Sequence, residues 1–242
     1  MDELWFEDEL SLPDYAVNDI SKHFTQSSTD TIETISATLA SEARGVVRVF
    51  RPDWSPLTSN ETKNILHSGR NLSLFKVRLV FEFEIPRENF EKGTRFVAAR
   101  CQGNIRPVSG AFQPEVYDLF PKDLYEGEPQ KVNLKFAPEI SLDTVGVSLG
   151  EVSTDIAVGQ VSPVVVGYFG DRKQEPHWDL RPLNKSLLGR QYFWLVLAMQ
   201  KECAGIRLFC RAEGDIQTKL GPISIGPKNM VWETRPSILI HK

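Results

Sequence analysis

From position 74 to 85 the chain reads LFKVRLVFEFEI. Every odd position (Phe75, Val77, Leu79, Phe81, Phe83, Ile85) is apolar, and Lys76, Arg78, Glu82 and Glu84 occupy even ones. Side chains on an extended strand alternate between faces, so this spacing predicts a strand with one face on a core and the other toward water or a partner. No other segment constrains the fold as tightly.

Past Gly45 the pattern keeps to period two or to short apolar runs, beginning with VVRVF at 46–50. Further strands are expected at 95–101, 131–136, 145–149, 152–158, 161–169, 191–199, 206–213, 215–220 and 237–240. Gly159, Gly170, Gly189, Gly205, Gly214, Gly221 and Gly226 fall between them as turn residues. Parallel strands need crossover helices, and no segment in this stretch is long and periodic enough to supply them. The expected fold is therefore all-β, mainly an antiparallel β-sandwich, with one N-terminal helix. The run YFWLVLAM at 192–199 is apolar on both faces and should lie centrally. Its neighbour at 206–213, joined through Gly205, is expected to pair with it as a hairpin.

The helix is expected after Asp30, which can cap it, with Glu33 three residues on and Ile32, Ile35, Leu39, Ala40 and Ala43 sharing a face; Gly45 can end it. Before it, residues 1–21 hold seven acids and no base, interleaved with Trp5, Phe6, Leu10 and Tyr15. The expected organisation is an acidic aromatic arm plus helix over 1–45, and a β-sandwich over 46–242. The latter is one unit or two smaller ones dividing near 140–150.

A net charge of −4 argues against a general affinity for nucleic acid or anionic membrane, since both rely on a cationic surface. The first residues are acidic rather than basic, and no apolar run approaches the ~20 residues of a spanning helix, so a cytoplasmic protein is expected. Cys101, Cys203 and Cys210 lack ligand or disulfide spacing and read as buried reduced thiols. His23, His67, His177 and His241 lie far apart, and Gly146 and Gly150 match no phosphate loop. No metal and no cofactor are expected.

Two long connections are read, 52–71 with Trp54 and 170–188 with His177, Trp178, Asp179 and Arg181. A histidine beside a carboxylate can act as a base, which makes a hydrolase one alternative, with Asp171, Asp179, Glu213 and Glu233 as further acids. No nucleophile announces itself. Trp54, Trp178 and Trp232, with His177, Asp179 and Arg181, are candidates for a stacking platform. A strand as long as 74–85 also suits a membrane-active or pore-forming β protein, a second alternative.

The favoured reading is a non-catalytic protein–protein interaction module. Its partner is another protein or a second copy of the chain, met through the arm, the helix and the long loops. Trp5, Phe6, Leu10 and Tyr15 are the candidate partner-binding anchors, since rings set among acids stay soluble when free and bury when bound. Arg44, Arg48, Arg51 and Arg70 could form a basic patch, for which the acidic arm is a candidate intramolecular or intermolecular partner.

Overall fold

The computed structural model describes residues 2–12, 32–57, 72–108, 114–124, 135–136, 140–141, 164–170, 173–182, 187–200, 203–219, 221–228 and 230–241. Tyr15, Asp30, Gly146, Gly150, Asp171 and the strands expected at 145–149 and 152–158 lie outside the described residues.

In chain order the elements are β1 (Leu4–Ser11), α1 (Ile32–Glu42), β2 (Arg44–Pro56), β3 (Leu72–Glu84), α2 (Arg87–Glu91), β4 (Arg95–Pro107), β5 (Glu115–Phe120) and β6 (Asp123–Leu124). Then come β7 (Lys135–Phe136), β8 (Ile140–Ser141), β9 (Val164–Tyr168), β10 (His177–Arg181), β11 (Gly189–Gln200), β12 (Gly205–Thr218) and β13 (Gly221–Pro227). A 3₁₀ turn at Trp232–Thr234 and β14 (Ser237–His241) end the chain. Apart from the small β7–β8 pair, the strands form one sheet in the order β5-β11-β3-β2-β1-β13-β12-β4-β10-β9-β6. β14 lies beside the first half of β12 and β13 beside its second half. Every pairing is antiparallel. The two ends of the path, β5 and β6, are consecutive in the chain and separated only by Pro121 and Lys122. The sheet is thus nearly closed into a barrel.

The alternation at 74–85 sets the inside. Phe75, Val77, Leu79, Phe81, Phe83 and Ile85 are all buried in one core, each such side chain contributing about 1.5–3 kcal/mol. Phe193, Leu195, Leu197 and Met199 of β11 join them, and the rings interlock across the interior. Phe81 meets Phe193 at 5.9 Å, Phe83 meets Phe96 at 5.4 Å, and Trp178 stacks on Phe193 at 4.5 Å. The both-faced reading of 192–199 also holds. Trp194, Val196 and Ala198 form a second buried cluster with Leu74 on the other side of the sheet.

Several expectations change. β11 and β12 do not pair; β11 lies between β3 and β5, while β12 lies between β4 and β13 with β14. Adjacency in sequence and a glycine suggested a hairpin, but β11 and β12, four residues apart in the chain, lie in different parts of the sheet. Residues 177–181 are strand β10 and not loop, because Trp178 and Leu180 alternate into the core. Trp54 lies on β2 and not in a connection. Gly45 does not end the helix and Gly214 does not separate two strands. Both are strand residues beside the Phe96 ring, where an added Cβ would sit 2.5 Å and 2.9 Å from ring carbons. α1 buries Ile35 and Leu39 as expected, but Ala40 is exposed. The Asn89 amide donates to the Ser41 carbonyl at 2.9 Å, and Arg44 Nε to that of Ala40 at 2.7 Å, satisfying carbonyls at the helix end.

Candidate functional site: two outward faces

Because the inner side of the sheet is filled by the core, any site on these strands must use the outward side. Two stretches of that side carry ordered polar groups.

The first spans β1, β2, β3 and β11. Strand register aligns Glu7, Arg48, Glu82 and Arg190 in one row, so that charges alternate from strand to strand. Arg48 Nε donates to Glu7 at 2.7 Å, and its Nη1 reaches Glu84 and, at 4.0 Å, Glu82. The hydrogen bond to Glu84 holds the Arg48 guanidinium above its usual pKa. Arg190 meets Asp2 at 3.1 Å and Glu82 at 3.8 Å. Arg78 meets the same Asp2 at 2.6 Å and also binds Asp53. The basic patch suggested by Arg48 and Arg51 is therefore neutralised by the molecule's own acids, Glu3 facing Arg51 at 3.6 Å.

Within β1 the pattern is Phe6, Asp8 and Leu10 inward, opposite Val49, Val47 and Gly45, with Glu7 and Glu9 outward. Asp8 thus points toward the core. It is matched by Arg235, whose side chain is only 3 % exposed. Between β14 and β13 the residues of β12 lack a backbone neighbour on that edge, and Arg235 fills the gap. Its Nε donates to the Cys210 carbonyl at 2.9 Å and a terminal nitrogen to Asp8. The Phe6 ring lies 5.3 Å from the guanidinium carbon.

The second face spans β10, β4, β12 and β13. Register again makes rows: His177–Gln102–Arg211, then Asp179–Arg100–Glu213, then Ala98–Asp215–Ser224. Asp179 accepts two bonds from Arg100, at 2.6 and 3.0 Å, which hold that guanidinium above its usual pKa. Arg211 bonds Gln102 at 2.6 Å and lies 4.3 Å above the Trp232 ring; burial pushes its pKa down. Over these rows opens a groove of about 1010 Å³, whose lining includes Arg181, Asp179, Ala98, Gly214, Lys228 and Met230.

The sequence-derived candidates fall as follows. Asp179 and Arg181 line this groove, and Met230, near Trp232, forms part of its wall. His177 stacks on Tyr168 at 4.8 Å, and its Nδ1 lies 3.5 Å from the Glu175 carbonyl oxygen. Asp179 is taken by Arg100, so the two do not form a base and its orienting carboxylate. Trp178 is fully buried and donates to the Pro121 carbonyl at 3.1 Å, leaving no ring face for a ligand. Trp54 is half-buried with its ring 6.0 Å from Phe75. The three tryptophans do not form one platform. In the arm, Leu10 is buried, and Trp5 and Phe6 are half-buried against the core with ring centres 5.0 Å apart. Glu213 lines the groove, and Glu233 is bound to Arg106, which lowers its pKa. The sequence reading missed Arg100, Arg235 and Lys228; the register that aligns them was not visible without the strand pairing.

Cys101, Cys203 and Cys210 are free and buried. Burial pushes the Cys210 thiol up to about 12 and the Cys101 thiol well above its usual value, which leaves both protonated and unreactive near neutral pH. Among the described residues no group of three or more His, Cys, Asp or Glu side chains could hold a metal, and no helix is long and apolar enough to cross a membrane.

No family model and no curated protein matches the chain. A solved structure titled "Pore forming protein" aligns with 80% of this chain and 89% of its own, at a TM-score of 0.30 and 8% identity.

Proposed function

We propose that this protein is a non-catalytic protein–protein interaction module, and that the groove over β10, β4, β12 and β13 receives a segment of its partner. The observation that carries this reading is the groove itself. Its walls offer cations (Arg181, Lys228), acids (Glu213, Asp215) and an exposed Met230 along one open channel. Such mixed chemistry suits a polypeptide, which presents charges, carbonyls and apolar side chains in sequence. Of the groups considered for hydrolysis, Asp179 is bound by Arg100 and does not orient His177.

Membrane insertion through these strands is disfavoured by their polarity. A lipid-facing barrel needs apolar side chains outward, whereas Phe75 to Ile85 point inward and Arg48, Glu82 and Arg190 outward. We also take the nearly closed sheet to be a flattened sandwich, since Trp178 and Phe193 on distant strands stack face to face. A reducing, cytoplasmic setting suits the three free thiols.

The test is affinity capture with wild-type and Ala98→Trp baits, the latter setting a large ring among the residues that line the groove. Stability of the variant should stay within about 0.5 kcal/mol, as for other surface changes, while one or more wild-type partners disappear from the captured set. Identical captured sets from both baits would contradict the reading.

A further inference from the structure

All five acids among residues 2–9 are met by basic side chains from elsewhere in the chain. Asp2 is met by Arg78 and Arg190, Glu3 by Arg51, Glu7 by Arg48, Asp8 by Arg235 and Glu9 by Lys228. Considered without β1, the space between β2 and β13 is a cleft with six cations along it and one of them, Arg235, set into its base. It is lined on one side by the free backbone edge of β2, with Val47 and Val49 opposite Asp8 and Phe6. The fit is specific in order as well as in sign, since the inward row must present an aromatic ring, an acid and an aliphatic residue in turn.

β1 is tied to the rest of the fold by residues 12–31, twenty in number. Fully extended, a link of that length reaches roughly 70 Å, several times the radius of gyration of about 18 Å for a compact chain of this size. The number of residues is therefore no bar to β1 entering the cleft of a neighbouring molecule.

We propose that this cleft takes the acidic strand 2–11 of a second copy of the chain, so that two molecules exchange β1 and form a closed dimer. This deepens the interaction-module reading by naming one partner, and rests on that reading only in kind, because the cleft and the groove are different surfaces. Exchange makes every contact of the monomer again, once per copy, and needs no new complementary surface. What opposes it is the advantage of the tethered strand, whose effective concentration at its own cleft is on the order of millimolar. The dimer fraction should therefore rise with protein concentration during folding. Once formed it should persist, because release of β1 breaks the Asp8–Arg235 pair.

The experiment uses full-length chains carrying one change each, Glu7→Cys or Arg48→Cys. These residues face each other across the β1–β2 pairing and belong to an exposed ion pair, so each change should be tolerated. The native thiols are buried and will not compete. The two chains are denatured, mixed, refolded together at high concentration and oxidised. The expected product is a disulfide-linked dimer in several-fold excess over a control in which Glu91→Cys replaces Glu7→Cys. Light scattering of wild type refolded the same way should show a dimer. Linked dimer at the control level overturns the proposal, whether wild type is then monomeric or dimerises by another surface. Loss of exchange would leave the Ala98→Trp capture result untouched, so the two readings fail separately.

Discussion

The outward faces of this sheet are both ordered by strand register, yet they are finished differently. On β1, β2, β3 and β11 the charges alternate row by row and close on one another, with Arg48 serving Glu7, Glu82 and Glu84 together. On β10, β4, β12 and β13 the central Asp179–Arg100 pair is closed, but Arg181 and Lys228 border an open groove. The first face consumes its charge in joining the N-terminal strand to the sheet; the second leaves Arg181 at the groove, where Lys228 also meets Glu9 at 4.0 Å. Sequence counts of acids and bases do not distinguish these outcomes.

The largest expected effect lies at the seam of the first face. Arg235→Ala leaves Asp8 pointing inward without its cation, and removing one partner of a buried pair costs about 3 kcal/mol or more. Thermal unfolding should show a fall in Tm of roughly 6–12 °C for a chain of this size. A change under 2 °C would mean that the pair does not hold β1.

Next is the ring beneath both faces. Gly45→Ala drives a Cβ into Phe96, 2.5 Å away, and should cost about 1–3 kcal/mol. Phe96→Leu in the same chain should recover part of that loss, a coupling that denaturant titration of the double-mutant cycle measures.

The thiols beneath the second face give a pH dependence with a definite sign. Burial raises the folded pKa of Cys210 from 9.0 to about 12, so the neutral thiol is favoured in the folded state. That contribution is fully present below pH 9 and is lost as pH rises through 9 toward 12, because the unfolded chain releases its proton first. Denaturant midpoints should therefore fall over that interval, less steeply in Cys210→Ala than in wild type. At pH 8 the native thiols should resist alkylation until denaturant is added.

Smallest are the surface rows. Glu82→Ala should cost under about 1 kcal/mol, since its partners are partly exposed and Arg48 retains Glu7 and Glu84. Arg181→Glu should leave Tm unchanged and alter only binding. A large stability loss from Arg181→Glu would erase the contrast between the faces.

What could be read in the sequence was local. The alternation of Phe75 to Ile85, the two-sided apolar run 192–199 and the stripe of Ile35 and Leu39 all follow from periodicity, and the structure keeps each. Readings that failed did so through long-range contacts. Gly45 and Gly214 resembled a helix stop and a turn, yet both are shaped by Phe96, which lies far from either in the chain. Trp178 was a platform candidate because 170–188 read as a connection, although strand alternation turns it inward against Phe193. Asp8 and Arg235 are 227 positions apart, and nothing local marks an acid in β1 as inward-facing. The groove was half legible, through Asp179 and Arg181, but the strands that complete it, β4, β12 and β13, come from pairings that sequence order does not reveal.

The contrast between a closed face and an open one is tested most directly by hydroxyl-radical footprinting of the protein with a partner captured by the wild-type bait. Protection is expected at exposed Met230 beside the groove, with exposed Leu4 on β1 unchanged between free and bound protein. Protection concentrated on β1, β2 and β3, with Met230 oxidised equally in both states, would contradict the assignment of the groove as the binding surface.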